Sequence, residues 1–125
     1  MLNIIFVSSR EKALVPFVKA LSSDQDIKLN MFDTGAAVLT QVRHQAPHLV
    51  IIDDHLDDQA PLDLVSELLQ LNAMINIAMV STMDDDAFHE ATEGLGLLPR
   101  LPSPPEAADA STLLTRLRAL PGLIS

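Results

Sequence analysis

Cysteine, tyrosine and tryptophan are absent from the 125 residues, and glycine occurs only four times. Without cysteine the chain has no disulfide, no thiol nucleophile and no thiolate metal site, so we expect a cytoplasmic protein. So few glycines leave no Gly-x-Gly-x-x-Gly motif or P-loop to hold a phosphate. Basic residues are scarce too, since eight Lys and Arg oppose 17 Asp and Glu. A net charge of −9 argues against a nucleic-acid surface, which needs a basic footprint.

Long hydrophobic runs are also missing. No apolar run approaches the roughly 18 residues that a membrane span needs, and the N-terminus lacks the basic region of a signal peptide. Hydrophobic residues nevertheless make up 48% of the chain and charged residues 20%. This balance is typical of a folded domain with a substantial core. We therefore expect one domain over residues 1–125, without a membrane segment.

Apolar patterning divides the chain into five strands that alternate with five helices. The strands are predicted at residues 2–7, 27–31, 49–52, 75–80 and 97–101. Pro99 and Pro102 make the fifth a poor strand, tolerable only at a sheet edge. The alternation predicts a parallel sheet with helices on both faces. The expected fold class is α/β, a flavodoxin-like (βα)5 three-layer sandwich with a five-stranded parallel sheet of order 2-1-3-4-5.

Residues that favour helix ends follow the strands. Ser8 or Ser9 and Thr34 are candidate N-terminal caps. Asp84–Asp86 are expected at a helix N-terminus, where carboxylates favour the helix dipole. Pro61 fits a first helical position, and Pro104 or Pro105 is expected to open the last helix. Pro16 indicates either a first helix that begins late or one that bends. Pro121 and Gly122 are expected to close the last helix.

The segment Pro47-His48-Leu49-Val50-Ile51-Ile52-Asp53-Asp54 is the most informative part of the sequence. A continuous apolar run bounded by a proline predicts a strand that is buried on both faces. Ligands of such sheets bind beyond the carboxyl ends of the strands. We therefore expect Asp53 to lie at the mouth of the principal site.

Over nearly its whole length the chain resembles the CheY-like receiver domain of two-component response regulators. The resemblance rests on Pro47-x-Leu-Val-Ile-Ile-Asp53, on Ala78-Met79-Val80-Ser81-Thr82 and on Leu101-Pro102-Ser103-Pro104. It makes Asp53 the phosphoacceptor equivalent and Ser81 the hydroxyl residue that contacts the phosphoryl group. Pro104 matches the proline of the Lys-Pro dipeptide of that family, and Ser103 stands in place of the lysine. Ser8 and Ser9 stand where the family has the acidic pair that holds Mg²⁺, and Arg100 replaces its aromatic switch residue.

These replacements predict a degenerate receiver, or pseudo-receiver. Phosphoryl transfer needs its charge neutralised by a metal ion or a lysine, and neutral serines supply neither. We expect Mg²⁺ binding to be weak or absent, no cofactor, no catalytic residue and no enzymatic activity. Around Asp53 the predicted pocket comprises Ser8, Ser9, Asp54, His55, Ser81, Thr82, Ser103 and Pro104.

Two alternatives remain open at this point. One is a receiver that is phosphorylated at Asp53 through a rearranged metal site, for which Glu11, Asp54, Asp57 and Asp58 offer carboxylates and Arg10 or Lys12 a cation. The other is an unrelated flavodoxin-like protein that binds a small ligand. A serine hydrolase is disfavoured because no Gly-x-Ser-x-Gly motif occurs, and the histidines show no metal-ligand spacing.

The resemblance also implies protein partners. Receiver domains commonly bind them through the face formed by the fourth helix, fifth strand and fifth helix, and Asp84–Asp86 lie at the start of this fourth helix. We expect a basic protein partner or a second copy of the chain at this face, and no nucleic acid or membrane. Whether an effector domain follows residue 125 stays open.

Overall fold

Four parallel strands form the central sheet, in the order β2-β1-β3-β4. The computed structural model describes residues 1–120. The strands are β1 (Leu2–Val7), β2 (Ile27–Phe32), β3 (Leu49–Ile52) and β4 (Asn76–Met79). The helices are α1 (Val15–Ser22), α2 (Gly35–His44), α3 (Pro61–Leu71), α4 (Asp85–Thr92) and α5 (Ala107–Arg118), and a short 3₁₀ helix (Glu11–Leu14) precedes α1. The predicted α/β fold class and the order of these four strands are confirmed.

Helices cover both faces of the sheet because side chains of a strand alternate between its faces. In β1, Leu2, Ile4 and Phe6 point towards one core, which α1 and α5 complete. Ile5 and Val7 point towards a second core, which α2, α3 and α4 complete. β3 is buried at every position, as its unbroken apolar run predicts.

The predicted fifth strand is reduced to a single bridge, Val80 with Leu101. The segment 97–101 still lies beside β4: the Leu98 N–H donates to the Ile77 carbonyl and the Leu101 N–H to the Met79 carbonyl. Pro99 and Pro102 have no N–H to add to this ladder, which explains why no regular strand forms. The prediction of five full strands is therefore corrected to four strands and one bridge.

The helix starts agree with the sequence at four places. Pro16 lies in the first turn of α1, so the helix begins late rather than bending. Thr34 caps α2 and Asp84 caps α4, each by accepting a backbone N–H, and Pro61 is the first residue of α3.

Two predicted helix starts are wrong. Neither Ser8 nor Ser9 caps a helix, because Arg10 precedes the 3₁₀ helix without a side-chain cap. The last helix begins at Ala107 rather than at Pro104 or Pro105, since Glu106 and Asp109 form a reciprocal capping box there. The predicted end at Pro121 and Gly122 lies outside the described residues. Within residues 1–120, no helix is both long enough and apolar enough to cross a membrane.

Candidate functional site

The ends of the strands place the predicted site residues along one edge of the sheet. Val7 pairs with Ile52, and Ile52 pairs with Met79, so β1, β3 and β4 end side by side. The next residues continue the pattern, since the Asp53 N–H donates to the Val7 carbonyl. Ser8 and Asp53 therefore leave adjacent strands at the same level, as the sequence predicts.

Asp53 forms a two-point ion pair with Arg10, a residue absent from the predicted pocket. Its side chain is 0% exposed, whereas that of Arg10 is 21% exposed. Arg10 Nε donates to Asp53 Oδ2 at 2.8 Å, and Nη2 donates to Oδ1 at 2.9 Å. This parallel arrangement is the strongest geometry for an arginine and a carboxylate. The guanidinium therefore contacts both oxygens of the Asp53 carboxylate.

The remaining hydrogen-bonding capacity of the Asp53 carboxylate is also used. Ser8 Oγ donates to Oδ2 at 2.7 Å, and the Asp54 N–H donates to Oδ1 at 2.9 Å. A carboxylate offers about four lone-pair positions. With the two bonds from Arg10, the Asp53 oxygens accept four donors. The carboxylate is saturated by the protein itself.

The same guanidinium extends the cluster to the loop before α5. Arg10 Nη2 lies 3.0 Å from Asp54 Oδ1 and 2.8 Å from Ser103 Oγ. Ser103 Oγ in turn donates to Asp54 Oδ1 at 3.2 Å. His55 Nδ1 also lies 2.9 Å from that oxygen, although the imidazole is 54% exposed. Ser8, Asp54, His55 and Ser103 are thus brought together around Asp53 and Arg10.

The site is electrostatically a buried carboxylate held in its charged form. Burial raises the pKa of Asp53, but the hydrogen bonds from Arg10 and Ser8 outweigh it and leave that pKa below its ordinary value. The hydrogen bond to Asp53 likewise raises the pKa of Arg10. Both groups are charged at neutral pH, and the guanidinium neutralises one of the two carboxylates that it contacts.

Four predicted pocket residues lie apart from this cluster. Ser81 is buried, but its Oγ accepts the Met83 N–H rather than contacting Asp53. Ser9 Oγ donates to the His55 carbonyl at 2.8 Å, and this contact is exposed. Thr82 and Pro104 are exposed, and the Ser103–Pro104 peptide bond is cis. These residues rim the strand ends without touching the carboxylate.

Arg100, which the sequence resemblance aligns with an aromatic switch residue, lies between β4 and α4. Its Nη1 donates to the Ser81 carbonyl at 3.0 Å, and its Nε lies 3.2 Å from Asp85 Oδ1. Its side chain is 21% exposed, whereas that of Asp85 is 87% exposed. Arg100 thereby links the end of β4 to the start of α4.

Comparison with known proteins identifies the fold. No protein-family model matches the sequence, and no curated protein matches it. Solved structures do match. Chemotaxis response regulator CheY4 of Vibrio cholerae is 13% identical, with a TM-score of 0.80 over 94% of this chain and 98% of that chain. A two-component response regulator from Clostridium difficile is 10% identical, with a TM-score of 0.82 over 98% of this chain and 100% of that chain.

A third match is the isolated receiver (REC) domain of RcsB from Salmonella enterica serovar Typhimurium, solved with the phosphomimetic BeF3⁻. It is 15% identical, with a TM-score of 0.80 over 94% of this chain and 88% of that chain. This chain has the receiver-domain fold. The resemblance noted in the sequence is thereby confirmed at the level of the fold.

The residues at this end of the receiver fold do not fit Mg²⁺ as they are arranged. Mg²⁺ requires near-octahedral oxygen ligands and usually one or two carboxylates with several waters. Here the oxygens of Asp53 accept four donors, Asp54 contacts Arg10, and the end of β1 offers only the hydroxyls of Ser8 and Ser9. The guanidinium of Arg10 already contacts both of these carboxylates.

The carboxylates of the rearranged metal site do not assemble around Asp53 either. Glu11 and Asp57 are exposed, and Lys12 is exposed beside them. Asp58 instead binds the start of α2, accepting the N–H groups of Gly35 and Ala36 at 3.0 and 3.1 Å. Of the residues considered for that site, Arg10 and Asp54 alone contact Asp53 in the described part of the chain.

Arg10 is the functional residue that the predicted pocket lacks. Sequence patterning named it only as one of two possible cations, because nothing in the local pattern indicates where a loop arginine points. The signal that identifies it is the combination of two observations: a buried aspartate needs a counter-charge, and Ser103 removes the lysine that the resemblance would supply.

A groove of about 690 Å³ lies between α4, the segment 97–101 and α5. Buried apolar side chains line it, namely Phe88, Leu98 and Leu101. Charged side chains of both signs surround them: Asp85, Asp86, Asp109, Arg100 and Arg116. The groove lies on the face that the resemblance implies for partners.

Proposed function

We propose that the chain is a receiver-type signalling domain of a two-component or phosphorelay pathway, and that it binds protein partners without phosphorylation at Asp53. The observation that carries the proposal is the saturated carboxylate of Asp53, which accepts four donors from Arg10, Ser8 and the Asp54 backbone. On this proposal the domain is a non-enzymatic, cytoplasmic pseudo-receiver that requires no Mg²⁺.

The physical reason concerns both the nucleophile and the product. To attack a phosphoryl donor, an oxygen of Asp53 would have to leave the guanidinium or the Ser8 hydroxyl. A phosphoryl group added there would lie next to the Asp54 carboxylate. Position 103 is a serine, so it supplies no lysine to pair with the phosphoryl group. Among the described residues, Arg10 would remain as the single arginine or lysine side chain in contact with these carboxylates. Phosphoryl transfer depends on preorganised positive charge, so one shared guanidinium supports this reaction poorly.

A second candidate function is a receiver that is phosphorylated at Asp53 with Arg10 as its cation. The observation that favours it is the position of the guanidinium, since a planar fork of N–H donors matches phosphate as well as carboxylate. In that case Arg10 turns from the Asp53 carboxylate to the new phosphoryl oxygens.

The two candidates are separated by adding beryllium fluoride, a mimic of an acyl phosphate, in the presence of Mg²⁺. Amide NMR spectra of the ¹⁵N-labelled protein are recorded with millimolar Mg²⁺ and then with both reagents. We expect no shifts at Asp53, Asp54 or Ser81, with the Asp53→Asn variant as the baseline. Saturable shifts at these residues that spread to α4 and are lost in the variant would replace the first candidate with the second.

We assign partner binding to the groove between α4 and α5, with a basic protein surface as the partner. The exposed surface of α4 carries Asp85, Asp86 and Glu90, and the groove offers buried apolar side chains beside them. A partner with basic residues around an apolar anchor complements this surface.

The interface is tested by reversing the charge of one groove residue. Crosslinking in cells of the source organism is compared for Asp86→Lys and for Glu67→Lys, a control on the exposed surface of α3. We expect Asp86→Lys to lose a crosslinked partner that wild type and Glu67→Lys retain. Sedimentation velocity of the purified chain shows whether that partner is a second copy. Equal crosslinking by all three proteins would contradict the assignment.

A further inference from the structure

We infer that the guanidinium of Arg10 is a built-in counter-cation for Asp53, which takes the place of a divalent ion and keeps it out. Its removal should therefore turn this domain into one whose stability responds to divalent ions. The inference deepens the proposed function, on which it rests for the role of Asp53. Its test measures unfolding rather than phosphorylation or partner binding, so the inference and the proposed function can fail separately.

The position of the guanidinium is the first argument. From the loop after β1, it contacts Asp53 and Asp54 at the end of β3, and Ser103 in the loop before α5. One cationic side chain thus joins three segments at the carboxyl edge of the sheet.

The second argument is the electrostatic requirement of Asp53. Its side chain is 0% exposed, and an ionised carboxylate removed from water is strongly unfavourable unless it is paired. The Ser8 hydroxyl and the Asp54 N–H are neutral donors, so they do not cancel the negative charge of the Asp53 carboxylate. Lys12, the nearest other cation in the sequence, is exposed and forms no ion pair within the described residues. The charge balance at Asp53 therefore depends on Arg10.

The third argument is what remains when the guanidinium is removed. Asp53, Asp54 and His55 each place one potential ligand atom within 4.8 Å of the others. The loop before α5 contributes only the neutral hydroxyl of Ser103, which donates to Asp54. With Arg10 gone, two carboxylates share the space without a cation, and a hydrated divalent ion is the available substitute.

The experiment compares thermal unfolding of wild type, Arg10→Met and Lys12→Met, each with EDTA and with millimolar Mg²⁺ or Mn²⁺. Lys12→Met is the matched control, because it removes the same charge two residues further along the chain, in the 3₁₀ helix that follows Arg10. In EDTA we expect the Tm of Arg10→Met to fall by more than about 10 °C, because Asp53 stays buried without a partner. Divalent ions should restore part of this loss, and should leave the Tm of wild type and Lys12→Met unchanged.

Each outcome decides for or against the inference. If Arg10→Met is too unstable to purify, the double variant Arg10→Met/Asp53→Asn tests the same point, because it contains no unpaired charge at position 53. Recovery of folding and absence of a divalent-ion response in the double variant support the inference. A double variant that also fails to fold would overturn it in favour of a packing role. An equal divalent-ion response in wild type, or no response in a folded Arg10→Met, would overturn it as well.

Discussion

At the scale of single residues, Asp53 shows how donor geometry outweighs burial. Complete burial alone would favour its neutral form. Two bonds from Arg10 and one from Ser8 reverse this preference, because hydrogen bonds to a charged acceptor are roughly twice as strong as neutral ones. Ser8, which follows the end of β1, therefore acts as a donor to the Asp53 carboxylate.

Ser8→Ala should lower the free energy of unfolding by about 1.5–3 kcal/mol, because a buried charged acceptor loses one donor. Ser9→Ala is the matched control. The Ser9 hydroxyl donates to a carbonyl in an exposed position, so its loss should cost less than about 1 kcal/mol. Urea unfolding at neutral pH measures both variants. Equal losses of unfolding free energy in the two variants would show that the hydrogen bond from Ser8 to Asp53 stabilises the fold no more than the exposed bond of Ser9.

At the scale of elements, backbone N–H groups decide where regular structure begins and ends. Pro99 and Pro102 cannot donate, so the segment 97–101 lies beside β4 with one bridge instead of a full ladder. The start of α2 has spare donors, and Asp58 reaches them from the loop after β3. Together with Thr34, this carboxylate satisfies N–H groups that a helix leaves unpaired in its first turn.

Asp58→Ala should lower the free energy of unfolding by about 0.5–1 kcal/mol, a value reduced for its exposure to solvent. Hydrogen bonds from the Gly35 and Ala36 N–H groups lower the pKa of Asp58, the bond from Gly35 most. Its contribution should therefore be present above about pH 4 and disappear as the pH falls further. Asp57→Ala removes an adjacent exposed carboxylate and serves as the control in the same urea titrations. A loss from Asp58→Ala that persists at low pH would contradict an electrostatic cap.

At the scale of the whole molecule, negative charge predominates, yet particular carboxylates are stabilised by the fold. The net charge is −9. The pKa of Asp24 is lowered by the backbone N–H of Asp26 and by Arg118, which ties the loop before β2 to the end of α5. The pKa values of Asp53 and Asp58 are lowered as well. Folding thus favours the charged form at three separated places.

The free energy of unfolding should therefore fall on acidification. Each of these groups has a folded pKa below its unfolded value, so its contribution is present above about pH 4 and is lost as the pH falls through the folded pKa. Urea unfolding followed by circular dichroism between about pH 7 and about pH 3 measures the effect. A free energy of unfolding that stays constant or rises over this range would contradict the assigned directions.

The sequence by itself determined the layers of the molecule and the place of the site. Unbroken apolar runs mark buried strands, and period-3.6 stripes mark the helices that cover them, so the order of elements and the position of Asp53 follow from local patterns. The cap at Thr34 and the helix start at Asp84–Asp86 could likewise be predicted, because the signals that start a helix act within its first turn. Pro99 and Pro102 predicted a poor fifth strand, but they did not predict that it would be reduced to a single bridge.

Only the tertiary structure decided what contacts Asp53. The ion pair joins residues 43 positions apart in the sequence, and Ser103 joins from 93 positions beyond Arg10. A flexible arginine in a loop has no local preference that selects one direction, so its position depends on the charge and burial of groups brought together by the sheet. The sequence likewise placed Ser9 and Ser81 in the pocket, but their hydroxyls contact other groups. The neighbouring loops set the direction of a side chain at a strand end, and the local sequence does not reveal it.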